Sequence, residues 1–164
     1  MSRWVLLVAL TILAVLLGIV AVVAGIGTSS NQANNKEYTI GEPALLNDRM
    51  LTVNAVQRNF VPDSTERPKQ GDEYIRVNIT LVNTSDSAID YNPLQFSIED
   101  PNNGIQRNAE SVQQVPDALN VPGTIGALGT LNGNLVFQAP QGATNLKLVY
   151  KPNPLSGDTI TVAL

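Results

Sequence analysis

The chain has 164 residues, of which 14 are acidic and 10 basic, and it contains no Cys and no His. The missing residue types exclude disulfides, thiolate nucleophiles, zinc sites built on Cys or His, and imidazole bases. Because Arg3 is the only charged residue before Lys36, the part beyond the N-terminal segment carries 9 basic and 14 acidic residues, a net charge of −5, and this acidity argues against nucleic-acid binding.

An apolar run from Trp4 to Ala24 contains no charged residue. A helix over these 21 residues would be about 30 Å long, which matches the hydrocarbon core of a bilayer. We therefore predict an N-terminal signal-anchor or transmembrane helix over residues 1–26, with the membrane as its partner through residues 4–24. Arg3 favours a single-pass topology with the N-terminus inside and the rest of the chain outside.

The same segment leaves other fates open. The small residues around Ala24 suit a signal peptidase, so secretion after cleavage near Ala24 is the alternative, although the run exceeds the roughly 7 to 15 apolar residues of a cleavable signal. The lack of a polar face argues against a helix buried in a soluble core. The absence of Cys excludes a lipoprotein anchor.

Residues 27–37 are small and polar, which predicts a flexible linker. Residues 38–164 are enough for one folded domain with its own core. An exported domain of this size without disulfides depends on that core for its stability, which favours a bacterial or archaeal cell envelope.

The first part of this domain contains segments with strand periodicity. Residues 38–40 predict a short strand, and residues 50–56 predict a half-buried strand with Leu51, Val53 and Ala55 on one face. Residues 73–83 alternate apolar and polar side chains most regularly, which predicts a strand with one face in the core and the other in water.

The middle of the domain is less regular. Residues 88–99 predict extended structure, in which Pro93 indicates an edge strand or a bulge because proline cannot donate a backbone hydrogen bond. Residues 100–104 predict a turn. Residues 105–128, with several prolines and glycines, predict a short strand and a long loop.

Three further strands are predicted over residues 131–137, 146–150 and 160–164. No helical periodicity follows residue 26. Seven or eight short strands separated by turns predict an all-β fold, an antiparallel β-sandwich over residues 38–164.

The chain resembles the extracellular bacterial and archaeal family known as domain of unknown function 4352. The resemblance is carried by the run Gly71–Ser85, by Ile89, Tyr91, Pro93, Phe96 and Asp100, and by Pro122, Gly123, Gly133, residues 135–137, Pro140, Leu146, Leu148 and Tyr150. It implies an immunoglobulin-like sandwich, similar to that of a secreted mycobacterial immunoprotective antigen, and no catalytic residues. The interval from Gly123 to Phe137 is several residues longer than the family pattern, which leaves the strand pairing there open.

Carboxylates are the remaining side chains suited to acid or base catalysis, and they cluster at Asp63–Glu66, Asp72–Glu73 and Glu99–Asp100. A glycosidase needs two carboxyl groups that face each other, usually beside aromatic residues. Few aromatics and no Trp occur after residue 4. We interpret the clusters as solvated surface and expect no enzymatic activity, no catalytic residue and no cofactor.

Oxygen atoms that could bind calcium are offered by Asp86, Asp100, Asn102 and Asn103. Their spacing does not match an EF-hand loop, so we interpret them as turn-forming residues and assign no metal site.

Two sequons and two tyrosines are candidates for residues with a role at the protein surface. Asn78 and Asn83 each begin an N-glycosylation sequon, a motif short enough to occur by chance. Tyr74 and Tyr91 could belong to a binding face, but packing is the favoured role for aromatic residues in strands.

Together these features predict a non-enzymatic extracellular β-sandwich, membrane-tethered or secreted, that binds a protein, a glycan or another envelope component. The alternative is a structural or accessory subunit of a membrane complex, held there by its N-terminal helix.

Overall fold

A computed structural model describes residues 36–164. Within this range the chain forms eleven strands and a single 3-10 helix at Pro93–Gln95. The strands are β1 (Glu37–Tyr38), β2 (Ala44–Leu46), β3 (Arg49–Gln57), β4 (Asp72–Asn83), β5 (Ile89–Tyr91), β6 (Phe96–Asp100), β7 (Ile105–Asn108), β8 (Gly123–Ile125), β9 (Thr130–Pro140), β10 (Lys147–Tyr150) and β11 (Ile160–Ala163). The all-β prediction is confirmed for these residues, with more strands than the seven or eight expected because four of them have only two or three residues.

The strands form two large sheets and a small one. The five-stranded sheet has the order β1-β11-β10-β6-β7, the four-stranded sheet has the order β2-β3-β4-β9, and β5 pairs with β8. Neighbouring strands are antiparallel except β1 and β11, which run parallel.

The core lies between the two large sheets. From β4, the alternating residues Ile75, Val77, Ile79 and Leu81 are fully buried, as the periodicity of residues 73–83 predicts. From the facing sheet, the rings of Phe96 and Tyr150 stack with their centroids 4.5 Å apart. Alternation along the strands thus supplies each sheet with one apolar face that points into the core.

A β-bulge changes the predicted inner face of β3. Leu51 and Val53 are buried as expected, but the register with β4 shifts between Val53 and Ala55. One extra residue reverses the side-chain alternation beyond it. Ala55 is therefore exposed, contrary to the prediction, and Val56 packs against the core instead.

Pro93 occupies neither an edge strand nor a bulge, so that prediction was wrong. It is the first residue of the 3-10 helix, where a missing N–H removes no helical hydrogen bond. Asn92 caps this helix by accepting a bond from the Leu94 N–H, and β6 then continues between β10 and β7.

Residues 105–128 contain two short strands rather than one. β7 pairs with β6, and β8 pairs with β5. The interval that is longer than in the family pattern includes residues 125–129. These residues complete β8 and form the turn into β9. The loop 109–122 covers the edge of β9 through bonds from Glu110 N to Val136 O and from Leu119 N to Asn134 O, both 2.8 Å.

The sandwich has two ends that carry different sets of loops. We call the end from which β11 begins the entry end, because β1 runs parallel to β11 and brings the chain into the sheet there. The entry end also carries the 3-10 helix and the loops 47–48, 84–88, 126–129 and 151–159. The far end carries the loops 58–71, 101–104 and 141–146.

The predicted membrane helix over residues 1–26 and nearly all of the predicted linker over residues 27–37 lie outside the described residues. Among residues 36–164, no helix has the length and apolar character needed to cross a bilayer.

Candidate functional site

The outer face of the four-stranded sheet carries three rows of uncharged side chains near the entry end. The strand registers align Met50 with Val82 and Thr130, and Thr52 with Thr80 and Asn132, while Asn78 pairs with Asn134. We call the following nine residues the Asn/Thr face: Met50, Thr52, Asn54, Asn78, Thr80, Val82, Thr130, Asn132 and Asn134.

Hydrogen bonds join the side chains of this face across three strands. Asn54 Nδ2 donates to Asn78 Oδ1 and to Thr80 Oγ1, each at 2.9 Å. Asn78 Nδ2 donates to Asn134 Oδ1 at 3.0 Å, and Thr80 Oγ1 donates to Asn132 Oδ1 at 2.6 Å. These bonds fix the side-chain orientations, so a ligand would meet groups that are already ordered.

The face keeps hydrogen-bonding capacity that the fold does not use. Asn54, Thr130 and Asn132 are exposed. Within residues 36–164, neither Asn54 Oδ1 nor Asn132 Nδ2 bonds to another group. An acceptor and a donor are therefore directed to solvent from an ordered array.

The Asn/Thr face ends at Arg76, whose guanidinium carbon lies 4.8 Å from the centroid of the Phe60 ring. Beyond Arg76, the same side of the sheet is covered by a second apolar cluster of Phe60, Tyr74, Val112, Val115 and Val136. The loops 58–71 and 109–122 supply three of these side chains. Only the half of the sheet near the entry end is therefore accessible.

Both tyrosines considered as binding residues pack inside the protein, as favoured. Tyr74 belongs to the second apolar cluster and Tyr91 to the main core. An added Cβ at Gly123 would lie 2.6 Å from the Tyr91 ring, so this glycine allows β8 to approach β5.

The carboxylate of Glu73 is buried at the far end and neutralised there. It pairs with the Arg58 guanidinium and accepts a bond from Asn59 N at 2.9 Å. Burial raises the pKa of Glu73, but the bonds from Arg58 and Asn59 outweigh it and leave this pKa below its usual value. Glu73 therefore stays ionised, which is the opposite of what a general acid requires.

The neighbouring carboxylates also have structural partners. Asp72 pairs with Arg107 of the other sheet, and Glu66 accepts a bond from Gln113 N at 2.8 Å. Asp72 and Glu73 are both buried, so the prediction of solvated surface was wrong for this cluster, whereas Asp63 is exposed. Asp72 and Glu73 border an open cleft of about 140 Å³, whose other walls include Phe60, Pro62 and Pro68.

Asp100 acts as a turn residue, as interpreted from the sequence, but it is only 1% exposed, so the prediction of solvated surface was wrong for this carboxylate. Its buried carboxylate accepts bonds from Asn102 N at 3.0 Å and from Asn103 Nδ2 at 2.6 Å. Asp86 lies at the entry end and Asp100 at the far end, so the two cannot bind one ion. No group of three or more acidic side chains suited to a metal occurs within the described part of the chain.

The two sequon asparagines are engaged in different ways. Asn83 is fully buried, and its Nδ2 donates to the carbonyl oxygens of Ser87 at 2.6 Å and Gly126 at 2.8 Å. The folded protein therefore withholds this amide from a glycosyl transferase. Asn78 is half-buried in the row of the Asn/Thr face that borders Arg76.

Sequence reasoning did not single out the Asn/Thr face. Its signal is a set of uncharged polar residues at alternate positions, at 52 and 54, at 78 and 80, and at 130, 132 and 134. Each pair looks like an ordinary outward-facing strand surface. Only the pairing of β3, β4 and β9 brings the pairs together.

The sequence model of one family, described as Domain of unknown function (DUF4352), matches residues 38–160. A relative from Bacillus subtilis (strain 168), named as the uncharacterized lipoprotein YjhA, is 26% identical over 144 residues. The match covers 81% of this chain and 66% of that relative's length.

Two solved structures show the same fold at low identity. The crystal structure of the YjhA protein is 21% identical with a TM-score of 0.60, and the match covers 77% of this chain and 98% of that one. The secreted protein MPT63 from Mycobacterium tuberculosis is 12% identical with a TM-score of 0.56, with 79% and 98% coverage.

Proposed function

Because the chain belongs to the DUF4352 family, which is defined without a function, we propose that it is a non-enzymatic extracellular binding domain with the Asn/Thr face as its ligand site. The carrying observation is the ordered array of amides and hydroxyls on an otherwise acidic domain. We infer an immunoglobulin-like arrangement for the sandwich from the same family resemblance.

The chemistry of the Asn/Thr face favours an uncharged glycan of the cell envelope as the ligand. Sugar hydroxyls donate and accept hydrogen bonds, and the face offers both, through groups such as Asn132 Nδ2 and Asn54 Oδ1. The nine residues include no charged side chain that would select an ionic ligand. They also include no aromatic or Arg, the residues that dominate the binding energy of protein interfaces.

The absence of aromatic residues sets an expectation for affinity. Without a ring to stack on a sugar, hydrogen bonds that compete with water supply the binding energy. We expect a dissociation constant of about 1 mM for a short oligosaccharide. A polymer that contacts several anchored copies of this protein should bind more tightly.

Attachment to the outer surface of a membrane is part of the proposal. The relative YjhA is named as a lipoprotein and MPT63 as a secreted protein, which supports an extracellular location. This chain has no Cys to carry a lipid. The apolar segment Trp4–Ala24 would serve as the anchor instead.

The experiment is an NMR titration of the full chain in detergent with neutral oligosaccharides made of hexose or N-acetylhexosamine units. We expect shifts of the side-chain amide signals of Asn54 and Asn132, and weaker binding by at least about threefold in Asn54→Ala and Asn132→Ala, since each removes a contact.

The matched control is Asn102→Ala, which changes an exposed asparagine in the far-end turn. It should bind as the parent chain does. Absence of shifts at the Asn/Thr face with every oligosaccharide, or equal loss of binding in the control, would contradict the proposal. Shifts produced only by an envelope protein would replace the glycan with a protein ligand.

A further inference from the structure

Three leucines project from the entry end of the sandwich. Leu155 in the 151–159 loop is 93% exposed, Leu128 in the 126–129 turn 71%, and Leu94 in the 3-10 helix 65%. They are the three most exposed leucines in residues 36–164. Single exposed apolar residues are common on protein surfaces, but here three separate connecting elements at the same end each expose a leucine.

Hydrogen bonds hold two of these leucine-bearing elements together. Lys151 N donates to Gln95 O, and Gln95 Nε2 donates to Pro152 O, both at 2.8 Å. The bonds link the 3-10 helix that carries Leu94 to the loop that carries Leu155. The two side chains are thus presented by a connected support rather than by separate loops.

The backbone at Leu128 gives a second, independent observation. Leu128 has φ of 53°, in the left-handed region that is unfavourable for a leucine and suits glycine. Its N–H bonds to Ser85 O at 2.9 Å, which fixes the turn. The chain therefore keeps an exposed leucine at a position where both its backbone conformation and its exposure to water are unfavourable.

The course of the chain shows at which end of the sandwich the N-terminal part of the chain joins it. Glu37 pairs with Thr161 near the start of β11, so the chain reaches the sandwich at the entry end. Gly25 to Lys36, 12 residues, separate it from the predicted membrane segment. Fully extended they span at most about 40 Å, and as a flexible chain about 20 Å.

We propose that Leu94, Leu128 and Leu155 insert into the headgroup region of the bilayer that holds the N-terminal segment, so that the sandwich stands with its entry end on the lipid. This proposal rests on the membrane anchoring in the proposed function, and not on the glycan site.

The charges at the entry end indicate that burial of apolar side chains, rather than attraction to anionic lipid headgroups, drives this contact. The entry-end loops contain Asp48, Asp86 and Asp158 against Lys151 alone, and Arg49 at the start of β3 is already paired with Asp48 at 2.6 Å. A surface without excess positive charge gains nothing from anionic headgroups. Three leucines bind lipid weakly by themselves, but the tether keeps their local concentration high.

The absence of Cys allows a direct test. The full chain is reconstituted in phosphatidylcholine vesicles whose lipids carry bromine near the headgroup, and a fluorophore is attached at Ser156→Cys beside Leu155 or at Asn102→Cys at the far end. We expect at least about twofold stronger quenching of the label at 156, because bromine quenches only over short distances and the leucines lie at the lipid surface.

The leucines themselves are then changed. Leu94→Gln with Leu155→Gln should reduce quenching at position 156 to the level at position 102, while the control Val61→Gln, which alters a 67% exposed residue at the far end, should leave it unchanged. A thermal unfolding curve verifies that each variant is folded.

Equal quenching at positions 156 and 102, unchanged quenching in the leucine variant, or quenching that needs anionic lipid would each overturn the proposal. The oligosaccharide titration is independent of all three readings. A failure of lipid docking is therefore distinct from a failure of glycan binding.

Discussion

At the scale of single residues, Tyr150 presents the most unusual environment in the core. Its ring stacks on Phe96, while its hydroxyl is buried without a hydrogen-bond partner among residues 36–164. Burial raises the pKa of Tyr150 to about 12, against smaller opposing effects of the charge and the proximity of the Arg49 guanidinium, whose Nε is likewise buried without a hydrogen-bond partner among these residues. The ring thus stabilises the core, and the hydroxyl adds little.

We predict that Tyr150→Phe leaves the free energy of unfolding at pH 7 within about 1 kcal/mol of the parent value or increases it, because it removes only an unpaired polar group. Chemical denaturation measures the change. A loss of several kcal/mol would show that the hydroxyl has a partner, such as a bound water.

The same substitution changes the alkaline behaviour. Because the pKa is raised in the folded state, the unfolded chain loses this proton first, from about pH 10, and stability falls as pH rises toward 12. The parent chain should lose up to about 2 to 3 kcal/mol more than Tyr150→Phe over this range. Parallel pH profiles of the two proteins would contradict this assignment.

The burial of single residues was predicted correctly where it follows from alternation along a strand. The prediction failed where burial depends on residues that are distant in the sequence. The inner faces of β4 and of β3 up to Val53 follow directly from period two. The exposure of Ala55 depends on a bulge, and the burial of Asp72 and Glu73 depends on Arg107 and Arg58, which no local pattern links to them.

At the scale of elements, the fit of the 109–122 loop against β9 depends on Gly133. This residue points inward, yet the space for its side chain is filled by Leu119, a buried residue of the main core. An added Cβ at Gly133 would lie 2.6 Å from both the Leu119 side chain and Asp117 O. The glycine therefore allows the loop to cover the sheet edge.

We predict that Gly133→Ala destabilises the protein by about 1 to 3 kcal/mol, because the loop must move away from β9. Hydrogen exchange should show loss of protection at Leu119 N and Asn134 N, which bond across this contact. The control Gly126→Ala has open space around the new Cβ and should retain that protection. Equal effects of both changes would contradict the role of Gly133.

The strands that could not be predicted from the sequence are too short to show an alternation of apolar and polar residues. β4, β9, β10 and β11 have four to twelve residues and were predicted from alternation. β2 and β8 have three residues each, and their pairing, not their composition, makes them strands, whereas β5 falls within the stretch 88–99 that was predicted to be extended. The Asn/Thr face escaped prediction for the same reason, since it exists only across β3, β4 and β9.

At the scale of the whole molecule, ion pairs between buried carboxylates and partly exposed arginines connect segments of the sandwich that are far apart in sequence. Asp72 of β4 pairs with Arg107 of β7, which joins the two large sheets at the far end. Arg58 joins Glu73 to the 141–146 loop by donating also to Ala143 O at 2.5 Å. These contacts fix the end opposite to the entry end.

We predict that Glu73→Gln lowers stability at pH 7 by about 1 to 2 kcal/mol, because Arg58 then loses its charged partner in a site where Glu73 is only 3% exposed. The Glu73 pKa is lowered, so its stabilising effect is present above about pH 4.5 and is lost as pH falls through the folded value. The variant should therefore lose less stability on acidification than the parent chain.

Unfolding curves at pH 7 and at pH 3 measure both effects. The control is Glu42→Gln, which removes the exposed pair with Lys36 and should change stability little. A Glu73→Gln variant that loses as much stability in acid as the parent chain would show that Glu73 is not the responsible carboxyl group.

The parallel pairing of β1 with β11 has a mechanical consequence for an anchored protein. A pull on the N-terminal side of Glu37 acts along the strand and shears two residue pairs, Glu37 with Thr161 and Tyr38 with Val162, together with the ion pair between Glu37 and Lys147. The next backbone hydrogen bond that links this segment to another strand, from Gly41 N to Val53 O at 2.8 Å, then bears the force. In a chain anchored through its N-terminal segment, we expect release of residues 37–40 to lengthen the tether by about 14 Å and to withdraw Tyr38 from the core before β2 to β11 separate.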